Sequence, residues 1–380
     1  VSRGRTGAGI AVAVIVAAGL ASCSGSATSS APSDAAVGAS AYAEPSVVPS
    51  VLPSAAVSTM PSTSPSPSVK PKPKPKPTPE AEAVNGWIPV GDAWRKQVAA
   101  FKATKADPPP ADAGNLPEFR ADCKYSHRLA DDPIVFPGLP GASHMHSFVG
   151  NKAVDADTRT ADLTKFTATT CKPVKDRSAY WVPTLYDNAT KKPVETTGFR
   201  VYYRSLQNNS AGQMPMPNGL RMISGDAKKK EPTPRGAQGQ FYCAFYGPGD
   251  IDGVARSTNG NWPICGGDAT LHFTLRFPDC WDGKHLDSPN HKDHVAYGSG
   301  NACPADHPVK IPSLTFEIQY GVKGSKAGYY LSSDPAGKSA SSMHGDAFVM
   351  WDVNAMNQRT KNCIVQRRTC NNDGYDPFSY

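Results

Sequence analysis

The sequence predicts an all-β body, a sandwich or jelly-roll-like arrangement with long disulfide-pinned loops and few short helices. Three observations carry this expectation. Residues 270–277 and 314–320 alternate between apolar and polar side chains, the period of a half-buried strand. The 33 glycines and 36 prolines among 380 residues interrupt the chain too often for long helices. Eight of the nine cysteines lie beyond residue 122, an even number that suits a disulfide framework.

From the start of the chain, Arg3 and Arg5 precede the apolar run AGIAVAVIVAAGL, which reads residues 1–22 as a secretion signal. The tetrapeptide Leu20-Ala21-Ser22-Cys23 resembles a bacterial lipobox, which implies acylation of the Cys23 thiol. Two or three acyl chains anchor stably where one does not. The expected location is the extracellular face of the cytoplasmic membrane, lipid-anchored and reaching into the cell wall, with membrane lipid as a partner. Residues 23–84 read as the lipidated cysteine and a Ser/Ala/Pro tether ending in alternating Lys-Pro. That composition buries too little apolar surface to offset its ordering entropy. Residues 85–380 are expected to form a single β-rich extracellular domain. A helix is expected over 93–105, with Asp92 as N-cap and Trp94, Val98 and Phe101 on one face. Aromatic and β-branched runs place further strands at 178–186 and 198–206, and another at 346–352.

Several function classes are excluded. No stretch after residue 22 approaches the ~20 apolar residues of a membrane span, which excludes a channel or transporter. The net charge of +7 is a weak argument for nucleic acid, and none is expected as a partner. The chain has no G-x-S-x-G elbow, phosphate-binding loop, H-E-x-x-H helix or dinucleotide fingerprint. Cys123, Cys171, Cys243, Cys265, Cys280, Cys303, Cys363 and Cys370 contain no C-x-x-C pair, so disulfides are expected rather than a thiolate cluster. The pairing stays open, with a local Cys363–Cys370 bridge as one candidate. Cys265 and Cys280 are also close in sequence, but a strand between them would hold them apart.

Three polar clusters are candidates for chemistry. In His144-Met145-His146, residues two apart share one face if the segment is extended. Asp279-Cys280-Trp281-Asp282 continues through Asp287 to His291 and His294, a charged loop directly after the 270–277 strand. In His344-Gly345-Asp346 the two functional residues again lie two apart. The candidate catalytic residues are His144, His146, Asp279, Asp282 and Asp346. Candidate ligand-binding residues are Trp281, Asp287, His291, His294 and His344. His144, His146 and His344 are the candidate ligands of a divalent metal, zinc or calcium. The six histidine and aspartate groups His144, His146, His291, His294, His344 and Asp346 are expected to converge, with Asp279 and Asp282 on the pocket wall.

The segments FRADCKYSHRLADDPIVFPG, ASHMHSFVGN, YWVPTLYD, GLRMISGDA, LHFTLRFPDCWDGKHLDSPNHKDHVAY, CPADHPVKIPSLTFEIQY and MHGDAFVMWD resemble domain-of-unknown-function family nineteen ninety-six, secreted proteins of actinobacteria and fungi. The resemblance spans about residues 119–352 and maps that family's site onto the same clusters, without assigning a reaction. Two functions follow as alternatives. One is a surface-tethered carbohydrate-active protein, a polysaccharide hydrolase or lyase using Asp and His on wall or environmental polysaccharide. The other is a non-catalytic glycan- or metal-binding cell-wall protein.

Overall fold

The strictly alternating segments form the strands that organise the structure, a computed structural model describing residues 83–205, 210, 212–231, 239–244, 262–336 and 340–377. The signal segment 1–22, Cys23 and the tether as far as residue 82 lie outside the described residues. Leu271–Arg276 pairs antiparallel with Ser313–Tyr320, and Leu271, Phe273 and Leu275 turn inward with Leu314, Phe316, Ile318 and Tyr320. This pair lies within a six-stranded sheet. Its order is Phe241–Cys243, Leu271–Arg276, Ser313–Tyr320, Thr196–Arg204, Glu118–Cys123 and Thr369–Cys370. A five-stranded antiparallel sheet has the order Tyr125–Leu129, His146–Gly150, Ala179–Pro183, His344–Phe348 and Arg221–Gly225. The strand expected at 198–206 exists as Thr196–Arg204, the one at 178–186 breaks into Ala179–Pro183 and Leu185–Asp187, which belong to different sheets, and the one at 346–352 is met only at 346–348 by His344–Phe348.

The sandwich or jelly-roll expectation is corrected. Among the described residues the strands divide among five separate open sheets, two large and three of two or three strands, and none closes on itself. Thr369–Cys370 joins its sheet in parallel, and the small sheets are built within long loops. Alternation tells which face of a strand is buried but not which strand lies beside it, so the sequence pattern overreached at the level of topology.

One apolar cluster draws side chains from both large sheets, including Phe119, Val201, Phe273 and Phe316 from one and Val149, Tyr180, Val182 and Ala347 from the other. Gly345 allows their close approach. A Cβ there would stand 2.7 Å from Leu275 Cδ2 and 3.1 Å from Phe316 Cε2. Because strand side chains alternate, Gly345 points to this shared core while His344 and Asp346 point to the opposite face. On that opposite face Phe148, Trp181 and Phe348 form a second cluster with Ile134, Val154, Leu163 and Met350.

The expected helix is present as Asp92–Ala103. Asp92 is its first residue rather than its N-cap, a position held by Gly91, and its carboxylate pairs instead with Arg95. Gln97 and Phe101 are buried, and Trp94 meets the edge of Trp281 with ring centroids 5.2 Å apart. All eight cysteines of the body pair as Cys123–Cys171, Cys243–Cys265, Cys280–Cys303 and Cys363–Cys370. The local bridge is the last of these, and the Leu271–Arg276 strand does separate Cys265 from Cys280.

A buried polar chain crosses the shared core. Trp351 Nε1 donates to Tyr203 Oη (2.8 Å), the Tyr203 and Tyr180 hydroxyls are 2.6 Å apart, and Tyr180 Oη donates to Asp176 Oδ2 (2.7 Å). Burial pushes the Asp176 carboxyl up to about 7, against the lowering influence of the Tyr180 and Ser178 hydrogen bonds. A folded-state pKa above the unfolded value means that the native state holds the proton more tightly. The contribution of Asp176 to stability is then greatest at low pH and is lost as pH rises from about 4 to 7. Asp176→Asn is therefore expected to compare better with the native chain at pH 8 than at pH 5, by roughly 3 kcal/mol at about 1.4 kcal/mol per pH unit. Urea unfolding at the two pH values checks this, and an identical stability difference at both would contradict it.

Candidate functional site

The site follows from strand registry. His146 opens its strand opposite Pro183, and Asp346, two residues after His344, lies opposite Trp181. His146 and His344 therefore flank the same end of the central Ala179–Pro183 strand. His144 arrives from the preceding loop. The ring centroids of His144, His146 and His344 are 4.3, 4.9 and 5.6 Å apart. His144 Nε2 is 3.1 Å from His344 Nε2, and His146 Nε2 is 3.4 Å from the same atom.

Backbone carbonyls fix the tautomers. His146 Nδ1 donates to the Asp131 carbonyl (2.8 Å) and His344 Nδ1 to the Ser342 carbonyl (2.9 Å). A carbonyl only accepts, so both Nδ1 atoms carry hydrogen and both Nε2 atoms present lone pairs. The His146 and His344 lone pairs repel unless something positive, a metal ion or the Nε2–H of His144, stands between them. This is the arrangement of metal-ligating histidines, whose second nitrogen donates to a carbonyl or carboxylate. Burial lowers the pKa of all three imidazoles, aided at His144 and His146 by neighbouring histidines. His144 falls to about 3, His344 to about 4, and His146 well below its usual value. They are neutral at neutral pH, the form that binds a metal.

The spacing fits an ion. Around tetrahedral zinc, with Zn–N of about 2.0–2.1 Å, neighbouring nitrogens lie about 3.3 Å apart. The ligand nitrogens of His144, His146 and His344 all fall within 4.8 Å of one another. Three protein ligands is the number that catalytic zinc centres supply, where water or substrate would complete the set. A second set, Asp132, His146 and Asp346, also falls within 4.8 Å and shares only His146 with the first. Burial raises the pKa of both carboxyls, and that of Asp346 is raised further by the nearby Asp132. A third grouping, Cys123, Cys171 and Asp176, offers no thiolate because its sulfurs form a disulfide.

Thus His144, His146, His344 and Asp346 meet, as the sequence suggested. Asp287, His291 and His294 form a separate network beside them. Asp287 pairs with buried Arg221 (3.4 Å) and accepts from His291 Nδ1 (3.0 Å). His294 donates through Nε2 to the Arg221 carbonyl (2.7 Å) and meets Ser288 Oγ at Nδ1. His291 lies close enough to influence Asp132 electrostatically, which ties this network to the histidine site. Asp279 accepts from Gly298 N (2.8 Å) and lies 3.7 Å from Arg276. Asp282 closes its own turn by accepting from Lys284 N and His285 N and bonding His285 Nδ1. Trp281 is fully buried, donating to the His285 carbonyl, so it offers no exposed platform.

Asp132 was not singled out from the sequence. Its only local signal is the Asp131-Asp132-Pro133 turn chemistry, in which Asp132 Oδ1 accepts from Ile134 N and Val135 N, both at 2.9 Å. That pattern announces a turn and says nothing of the strand it will meet.

Every member of the two sets lies between residues 132 and 346. None of the curated proteins and none of the solved structures matches this chain. A family model described as a domain of unknown function (DUF1996) matches residues 132–351, more than half of the chain and all of the site, and the chain belongs to that family.

Proposed function

We propose that this protein binds a divalent, imidazole-seeking metal ion through His144, His146 and His344. The observation that carries the reading is the convergence of three histidine nitrogens, two of them with lone pairs aimed at one point by backbone carbonyls. Imidazole suits zinc, copper, nickel and iron, and a neutral three-histidine set is one that zinc takes in catalytic centres. Calcium, which takes six to eight oxygens, fits this nitrogen set poorly. Anchoring through acylated Cys23 would hold the site outside the membrane, a reading supported by the Leu20-Ala21-Ser22-Cys23 sequence. Among the described residues no helix is long and apolar enough to cross a membrane.

Calorimetric titration of chelator-treated protein with zinc tests the proposal. The expected result is one tightly bound equivalent. Heat no greater than that of a variant lacking all three histidines would sink it. The low imidazole pKa values add a pH signature. Ordinary histidines lose metal affinity steeply below pH 6.5, because protons compete for each lone pair. Here zinc affinity is expected to stay within about threefold from pH 7.5 to 5.5 and to fall only toward pH 4. A steep loss beginning at pH 6.5 would contradict the burial argument.

A second reading, glycan contact by the same protein, is favoured by a groove on the outer face of the six-stranded sheet. It has a volume of about 760 Å³ and is lined by residues including Arg200, Tyr202, Arg204, His272, Glu317 and Gln319. These side chains brace one another. Arg200 donates to Asp122 Oδ1 (2.6 Å), and Tyr202 Oη donates to Glu317 Oε2 (3.3 Å). Such a rigid polar face meets hydroxyl-rich ligands without first having to be ordered.

A further inference from the structure

Asp346 is 1% exposed and Asp132 is 4% exposed, yet among the described residues no hydrogen-bond partner satisfies Asp346 Oδ2. Arg221, on the neighbouring strand, is engaged with Asp287 at 3.4 Å and lies over the Phe348 ring, and Lys292, whose charge acts on Asp346, donates to the Gly225 carbonyl at 3.5 Å. Ligand atoms of Asp132, His146 and Asp346 lie within 4.8 Å of one another, and this set joins the three-histidine set only at His146. Two carboxylates in so dry a place need neutralising. His291 acts on Asp132 and Lys292 on Asp346, but neither is hydrogen-bonded to Asp346 Oδ2, and a divalent cation would bond both carboxylates directly. His146 directs Nδ1 to the Asp131 carbonyl and Nε2 toward His344, so its single lone pair belongs to the three-histidine site. The second position is left to oxygen donors.

We propose that Asp132 and Asp346 form a second divalent-cation subsite beside the three histidines, one that takes an oxygen-seeking ion of the manganese or magnesium class. This deepens the metal-binding reading and rests on it. Such ions are bound by proteins through one or two carboxylates, which matches the two available here. In paired sites the two ions stand about 3.5–4 Å apart, a spacing that requires neighbouring ligand sets of this kind. The wall that Asp346 shares with His344 comes from one strand at a two-residue spacing, so a shift of that strand would disturb both positions together.

The test uses the full chain, stripped with chelator and dialysed against zinc and manganese together, followed by elemental analysis. The expected content is about one zinc and one manganese per chain. Asp346→Asn and Asp132→Asn are each expected to keep the zinc and lose at least about tenfold in manganese affinity, read from the loss of the free manganese spin-resonance signal. One zinc with no manganese in the unsubstituted chain would overturn the second subsite and leave the three-histidine reading standing. Manganese bound equally by the chain and both variants would also overturn it, because the ion would then sit elsewhere. Neither metal bound would overturn both readings. The unsubstituted chain decides the stoichiometry by itself, so the proposal remains open to refutation even if a variant fails to fold.

Discussion

His344→Ala is expected to lower zinc affinity by at least about 100-fold, because losing even an outer partner of a metal ligand costs about 10–100-fold. His344 is the hub of the site. Its Nε2 is the atom that both other imidazoles approach, at 3.1 and 3.4 Å. Removing it leaves His144 and His146 with no third nitrogen and opens a gap beneath them. Competition with a chromophoric chelator measures the change, and thermal melting without metal monitors the fold. His294→Ala provides the contrast. That imidazole is equally buried but spends both nitrogens on Ser288 and the Arg221 carbonyl, so its loss is expected to affect stability more than zinc. Equal loss of zinc affinity in both variants would show that burial, rather than ligation, links these histidines to metal.

Gly225→Ala is expected to damage stability and zinc binding together. Gly225 faces His344 across the strand pair and has φ of +85°, a left-handed conformation that side chains rarely adopt. An added Cβ would stand 2.6 Å from the Met343 carbonyl oxygen and 2.7 Å from His344 Cα. Both obstacles are backbone, so no rotamer change relieves them. Strain of this kind costs about 2–4 kcal/mol. Relief requires the His344 strand to move, and movement there spoils the nitrogen spacing. The expected outcome is a lowered melting temperature together with at least about tenfold weaker zinc binding. A normal melting temperature would show that the strand ends yield easily and that the site is not rigidly placed.

Alternation carried much of the fold. Leu271, Phe273 and Leu275 and their partners on Ser313–Tyr320 had one reading, because a one-residue slip would have turned every apolar side chain outward. The sheet architecture was not legible. Pairing of Glu118–Cys123 with both Thr196–Arg204 and the distant Thr369–Cys370 leaves no local trace in the chain. At the site, His-x-His and His-x-Asp spacing was informative because period two puts both groups on one strand face. The charged loop from Asp279 to His294 was misleading as a single unit. Its carboxylates mostly close turns and pair locally, and sequence does not distinguish a carboxylate that caps a turn from one that faces a ligand. Asp132 shows the converse, a turn residue in sequence that becomes a wall of the site through packing against a strand more than 200 positions later.

X-ray absorption at the zinc edge of zinc-loaded protein tests the central claim most directly. The account predicts three imidazole nitrogens at about 2.0–2.1 Å, a remaining light ligand, and no sulfur. Replacement of His144, His146 or His344 should each reduce the imidazole signal by one. A zinc shell dominated by oxygen, or one containing sulfur at about 2.3 Å, would contradict ligation by these three histidines.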